Sequence, residues 1–344
     1  MNVLLIGPDS KFPNLALMKI SAYHKSQGDV VGFNVSKPDR VYMSILFWKN
    51  RSMAYTLKWM YPAAGIVKGG PGYDPKIRLP SEIEEMAPDQ SIYKSKYSIG
   101  RVTSGCPRKC HFCMVPQMEP HGIRYIQPPS KIWKGGKSIL RLLDDNILSM
   151  PSAFWEVHDY CIANNTKVHF EYLDARLITE PIAKGLKEMH HDGGIIHFSY
   201  DITAIEPAVR KAVAIMKNAG FRANALEWLI YLHDEKSIPD AEYRWNVIRS
   251  LGCEPFLMVN NENRTKALRR IARRGCRPAI WRNLDSGEVF ATTKPAKECI
   301  ARVGWPDSLN DSMGNRKGGV SGPTNQSGEL TKVTSTVRSP GVER

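Results

Sequence analysis

"YSIGRVTSGCPRKCHFC" (Tyr97–Cys113) joins two signals: a short apolar run that reads as a β-strand and, just past its end, three cysteines within eight residues, Cys106, Cys110 and Cys113. From this strand onward the pattern repeats. "SILRLLDDNIL" (Ser138–Leu148), "KVHFEYLDARLIT" (Lys167–Thr179), "GIIHFSYDIT" (Gly194–Thr203), "ANALEWLIYL" (Ala223–Leu232) and "EPFLMVN" (Glu254–Asn260) read as five further strands. Helical segments over about 180–190, 207–218 and 240–251 separate the later ones, and Gly220 and Gly252 stop the last two. Six strands spaced mostly by helices predict a parallel α/β architecture of curved or barrel-like form, a partial (β/α)6 barrel. In such barrels the chemistry gathers where strands end. The cysteine loop, Asp144, Asp174, Asp201 and Asn260 all fall at or just past a predicted strand end.

Upstream, "NVLLIG" (Asn2–Gly7) is a continuous apolar run closed by Gly-Pro-Asp, the pattern of a buried parallel strand. A helix over about 14–26 follows, then strands in "DVVGFNV", "RVYMSILF" and "AGIVKGGPGYD". Residues 1–97 therefore form a small Rossmann-like α/β unit, residues 98–305 the barrel, and residues 306–344 a basic tail. That tail, rich in Gly, Ser, Asn and Thr, has too few large apolar residues to offset its ordering entropy, so it is expected to be disordered.

The chain has 344 residues, 42% of them hydrophobic, and 48 Lys+Arg against 34 Asp+Glu give a formal net charge of +14. That balance favours acidic partners: nucleic acid, phosphorylated substrates or an acidic electron donor. Seven cysteines, four of them isolated (Cys161, Cys253, Cys276, Cys299), do not form a secreted disulfide framework. The N-terminus lacks a signal peptide's basic region, and no apolar stretch is long enough to span a membrane. A cytoplasmic protein with no membrane partner is expected.

The spacing C-x3-C-x2-C narrows the metal chemistry. Structural zinc usually takes four ligands, often as two C-x2-C pairs, and there is no second pair here. His111 lies between the cysteines, an awkward place for a fourth ligand. A thioredoxin-type motif belongs to another fold context. The remaining reading is a 4Fe–4S cluster held by three thiolates, with one iron open to a substrate or cofactor.

Cys106-Pro-Arg-Lys-Cys110-His-Phe112-Cys113 resembles the signature of the radical S-adenosylmethionine (SAM) enzymes, C-x3-C-x-φ-C with φ usually aromatic. The resemblance covers about residues 97–285. It implies a radical-SAM-type barrel, a 4Fe–4S cluster on Cys106, Cys110 and Cys113, and SAM bound at the open iron. Reductive cleavage of SAM would release a 5′-deoxyadenosyl radical that attacks a substrate the sequence does not name. The electron donor would be a protein such as flavodoxin or ferredoxin. Asp144 and Asp145 stand where relatives carry an acidic motif at the SAM amino group, and Ser199 and Asp201 where polar groups meet SAM. Arg108 and Lys109 would offset cluster charge. A methylthiotransferase is not expected, because no cysteine precedes Cys106.

Plainer roles stand beside these. Asp144 and Asp145 could cap the next helix, Asp174 could pair with Arg176, Ser199 and Asp201 could start a turn, and the isolated cysteines read as core residues. A non-catalytic iron–sulfur protein serving electron transfer or nucleic-acid binding is the alternative function. The basic run from Arg264 to Arg282 reads as the outer face of a last helix, with Leu268, Ile271 and Ala272 inward; a nucleic-acid patch is its alternative. Residues 1–97 also resemble the cobalamin-binding-like domain that precedes many radical SAM barrels. They lack its Asp-x-His-x-x-Gly motif, so the domain is read as vestigial and no bound cobalamin is expected.

Overall fold

The computed structural model describes residues 1–9, 12–133, 135–260 and 265–292. Cys299, Arg264 and the tail from 306 lie outside the described residues. Residues Met1–Pro295 form one compact unit.

The N-terminal part is a four-stranded parallel sheet of β1 (Asn2–Ile6), β2 (Val30–Gly32), β3 (Arg40–Ser44) and β4 (Gly65–Gly69), in the order β2-β1-β3-β4. Strand β1 is apolar throughout because both its faces are covered. Val3 and Leu5 pack with Leu17 and Ile20 of the helix Leu15–Ser26, while Leu4 packs with Val41 and Ala64 on the other side. Asn14 caps that helix by accepting from the Leu17 N–H at 3.2 Å. All four strands expected in residues 1–97 are present.

Six strand regions follow as two parallel sheets. The first runs β5 (Tyr97–Gly100), β8 (Ile139–Leu142), β9 (Lys167–Phe170), β11 (His190–His191); the second runs β10 (Leu173–Asp174), β12 (Ile196–Ser199), β13 (Leu226–Leu232), β14 (Glu254–Val259). A two-stranded antiparallel pair, β6 (Thr103–Ser104) and β7 (Arg124–Tyr125), closes the cysteine loop between β5 and β8. Each strand region lies beside the one before it in sequence. Where one continuous strand was expected over 167–179 there are two, β9 and β10. They pair with β11 and β12 respectively, so the sheet changes partners at Glu171–Tyr172. The chain is thus an α/β protein built on parallel sheets. Among the described residues no helix is long and apolar enough to cross a membrane.

One face of these strands carries a row of large apolar side chains that pack under helices. Leu140, Leu142, Val168, Phe170, Phe198, Trp228, Ile230 and Leu257 are buried. Phe170 meets Phe154 of the helix Pro151–Ala163, with ring centroids 6.3 Å apart. That helix was not expected; its signal is Pro151 at the first turn with Ala153, Phe154, Val157 and Cys161 buried at helical spacing. The helix Lys266–Gly275 lies so close to β14 that a Cβ on Gly275 would fall 2.0 Å from Leu257 Cδ1. It buries Leu268, Ile271 and Ala272 as expected. Arg274 departs from the expected outward face: it is buried and donates to the Arg270 and Ala291 carbonyls. The free edge of β5 is closed by a side chain. The Gln90 amide donates to the Ile99 carbonyl at 2.9 Å and accepts from the Ile99 N–H at 3.1 Å, standing in for a neighbouring strand.

Candidate metal centre

The cysteine loop leaves β5 and is tied down at its root by the end of β8. Asp144 is buried and accepts from the Val102 N–H at 3.2 Å, from the Thr103 hydroxyl at 2.7 Å, and from the Thr103 N–H. Burial pushes its pKa up to about 6 against those donors. Asp145 accepts from the Gly105 N–H at 2.8 Å, with the Arg101 guanidinium 3.6 Å away. Gly105 has φ +89°, and a Cβ there would lie 1.9 Å from the Gly122 carbonyl oxygen, so only glycine fits where β6 meets β7. Neither aspartate caps a helix. The turn that follows, Ile147–Ser149, begins at Asn146 with no side-chain cap.

Next to this root the three thiols are free of disulfides and half-buried. Backbone N–H groups turn toward their sulfurs, Arg108 N to Cys106 Sγ and Val115 N to Cys113 Sγ, each at 3.4 Å. Asn146 adds its Nδ2 to Cys106 Sγ, also at 3.4 Å, and to Asp174 Oδ2 at 3.3 Å. Donors aimed at sulfur favour the thiolate form. Burial works the other way and raises the pKa of Cys110 and Cys113, with neighbouring thiolate and carboxylate charge adding to it. A bound cation reverses that balance, since a coordinating thiol is deprotonated by the metal itself. Among the described residues no three His, Cys, Asp or Glu side chains converge on a point as the ligands of a single ion do. Three thiols on one loop are the donor type that iron–sulfur clusters take.

Around the thiols stand the strand-end polar groups. Asp174 is bound by Arg176 (Nε–Oδ1 2.7 Å) and by Arg108 (Nε–Oδ2 3.1 Å). Burial opposes its charge, but the two guanidiniums prevail and hold its pKa below the ordinary value. The Asp174–Arg176 pairing was anticipated; Arg108 joining it was not, so this arginine is engaged with Asp174. Asp201 accepts from the Tyr231 N–H at 3.2 Å, and burial pushes its pKa up to about 6. Cys110 lies near enough to Arg176, Cys106, Asp201 and Asp174 to feel their charges. Phe112 of the loop reaches Tyr231 on β13, ring centroids 5.5 Å apart. Ser199 ends β12, half-buried.

Arg244 holds the strand ends under Asp201. This buried arginine of the helix Ile238–Ser250 donates to the Tyr200 carbonyl at 2.7 Å and the Tyr231 carbonyl at 3.1 Å, and pairs with Asp240. Arg244→Met removes both donors and a positive charge that favours the ionised form of Asp201. It is expected to lower unfolding free energy by about 3 kcal/mol, read from urea titration; a loss within 0.5 kcal/mol, the ordinary range of surface changes, would contradict this role.

Sequence reasoning passed over a row of polar groups on the opposite face of the strands. Strand register aligns Arg141 with His169, and His197 with Glu227. The His169 and His197 rings are 4.9 Å apart, His197 Nδ1 is 2.8 Å from Glu227 Oε1, and Arg141 Nε donates to Glu171 Oε1 at 2.6 Å. The signal was available: "ILRL" and "LEWL" each carry one polar residue inside an apolar run, and "KVHF" and "IHFS" place His169 and His197 between apolar neighbours. Burial pushes the His169 pKa down from 6.5 to about 4. The unfolded chain thus takes a proton near 6.5 that the folded protein refuses until about 4, so this residue makes stability fall as pH drops through that window. His169→Gln is expected to flatten the stability–pH curve between pH 6.5 and 4. An unchanged slope would show that His169 titrates normally.

No protein-family model matches the chain, and no curated protein matches it.

Proposed function

We propose that the chain is a radical SAM enzyme, with the two parallel sheets forming the wall of a partial barrel and Cys106, Cys110 and Cys113 holding a 4Fe–4S cluster at its rim. The observation that carries this reading is the loop itself: three thiols free of disulfides in C-x3-C-x2-C spacing at a strand end, Cys106 receiving the Arg108 N–H and the Asn146 amide and Cys113 the Val115 N–H. When bound, cluster and SAM together supply the reducing electron and the carbon-centred radical.

The chain's own residues then have separate tasks. Asp144 and Asp145 hold the loop root, and Asp174 is taken by Arg108 and Arg176. The carboxylate left to meet the SAM amino group beside Cys110 is Asp201, with Ser199 on the adjoining strand end. Phe112 and Tyr231 cover one side of the site. The row Arg141, His169, His197 and Glu227 faces the substrate. Arg141 and His169 share Glu171, and His197 meets Glu227, so the row offers hydrogen-bonding polar groups, a lining suited to a hydroxyl-bearing substrate. The excess positive charge suits an acidic electron donor of the flavodoxin or ferredoxin kind, and the absence of disulfides among the described cysteines suits the reducing cytoplasm.

The test is anaerobic reconstitution with iron and sulfide, reduction with dithionite, and assay for 5′-deoxyadenosine and methionine. About four irons per chain and reductive release of both products are expected. A protein that takes up iron but never cleaves SAM would move the reading to a non-catalytic iron–sulfur protein. One that takes up none would end it.

A further inference from the structure

The helix Met53–Met60 buries Ala54 and Leu57 against Met43 and Ile45. At about 100° per residue, Trp59 lies opposite that buried edge, Tyr55 and Thr56 stand on either side of it, and Met60 lies on the flank. A surface helix normally presents polar residues there. Here Trp59 is 89% exposed, and Tyr55, Met60 and Met53 are exposed beside it. The preceding turn adds exposed Phe47 and Trp48, and Phe47 contacts exposed Phe12, ring centroids 6.0 Å apart. Such a concentration of large apolar groups on one short segment needs a covering surface.

Charge indicates which surface. No Asp or Glu occurs between Asp39 and Asp74, whereas Lys49, Arg51, Lys58 and Lys68 do. The cations lie among the rings: Arg51 sits 4.2 Å from the Trp48 ring centroid, Lys49 lies 5.8 Å from that of Phe47, and Lys68 lies 5.8 Å from that of Tyr73. Trp and Tyr with an apolar body and a polar tip, flanked by Lys and Arg, are the residues that settle at the boundary between lipid headgroups and acyl chains. Met53 and Met60 suit acyl chains and have no ring on which a nucleic-acid base could stack. A helix of eight residues is too short to span a bilayer but long enough to lie in its surface.

We propose that this face docks the protein onto the surface of an anionic lipid bilayer, with Trp59, Tyr55 and Met60 entering the headgroup boundary and Lys49, Arg51 and Lys58 meeting lipid phosphates and carboxylates. The inference is independent of the cysteine loop, and its test needs no cluster.

The full chain is co-sedimented with vesicles of phosphatidylcholine alone and with phosphatidylserine added. Binding is expected on the anionic vesicles, weakened by salt and at least roughly tenfold weaker on neutral ones, since each basic residue near the surface contributes an electrostatic increment. Tyr55→Ser/Trp59→Ser should reduce partitioning by about tenfold or more, with circular dichroism and melting temperature unchanged because both side chains are exposed. Lys49→Glu/Lys58→Glu should abolish the preference for anionic lipid. Absence of binding, or binding indifferent to these changes, overturns the proposal. A wild-type dimer that the Tyr55/Trp59 variant dissociates in light scattering also overturns it, assigning the face to a second copy. Single-stranded oligonucleotide binding lost in the same variant, without vesicle binding, would assign it to nucleic acid.

Discussion

Replacing Asp144 with alanine is expected to lower folding stability by about 3–5 kcal/mol and to loosen the cysteine loop. The carboxylate is buried and accepts from two backbone N–H groups and the Thr103 hydroxyl. Each buried donor left without a partner costs about 1–3 kcal/mol, and the hydroxyl recovers part of its share by rotating. The two N–H groups cannot rotate, because they belong to Val102 and Thr103 at the point where the chain turns from β5 into β6. Asp144→Asn keeps one acceptor oxygen but points its own N–H groups at donors, so its loss should be substantial and smaller than alanine's. Urea unfolding of the cluster-free protein gives the stability. Limited proteolysis between Thr103 and Arg124 reports the loop. A loss below about 1 kcal/mol would mean that water or a rearranged loop satisfies these donors.

The second large effect is on metal content. Cys106→Ala, Cys110→Ala or Cys113→Ala should each abolish cluster binding and SAM cleavage, since each removes one of only three protein ligands in the proposed centre. Cys161→Ala is the contrasting case. Its thiol is buried in the helix Pro151–Ala163 and burial pushes its pKa up to about 12, so it is an inert core group. That change should retain full iron and sulfide and cost about 1 kcal/mol for the small cavity left behind. Full iron retention in any of the three loop variants, or its loss in Cys161→Ala, would show that the ligands are wrongly assigned.

These two predictions draw on different levels of information. The cysteine loop was legible from spacing alone, because three cysteines within eight residues stand out in the sequence whatever they hold. The strands were legible because alternation and apolar runs are local: a strand lies within each predicted run, although 167–179 splits into β9 and β10 and β8 ends at Leu142. The helix Pro151–Ala163 was missed because its core positions are filled partly by aromatic residues of modest helix propensity, Phe154 among them. Asp144 and Asp145 were visible as strand-end acids. Whether they face a ligand, cap a helix or hold the loop depends on how residues about forty positions apart are set by the pairing of β5 with β8.

The sequence by itself determined the α/β class, the succession of strands along the chain and the cysteine loop after β5, since periodicity and spacing depend only on neighbouring residues. Tertiary structure alone decided what the side chains do. It engaged Asp144 and Asp145 with the loop backbone, turned Asn146 toward Cys106, placed Arg244 beneath Asp201, and brought Arg141, His169, His197 and Glu227 into one row. It also left Tyr55 and Trp59 outward while Ala54 and Leu57 of the same helix went into the core. The reason is common to all of these. A side chain's partners are fixed by strand register and helix rotation, and both are set by packing between segments far apart in the chain.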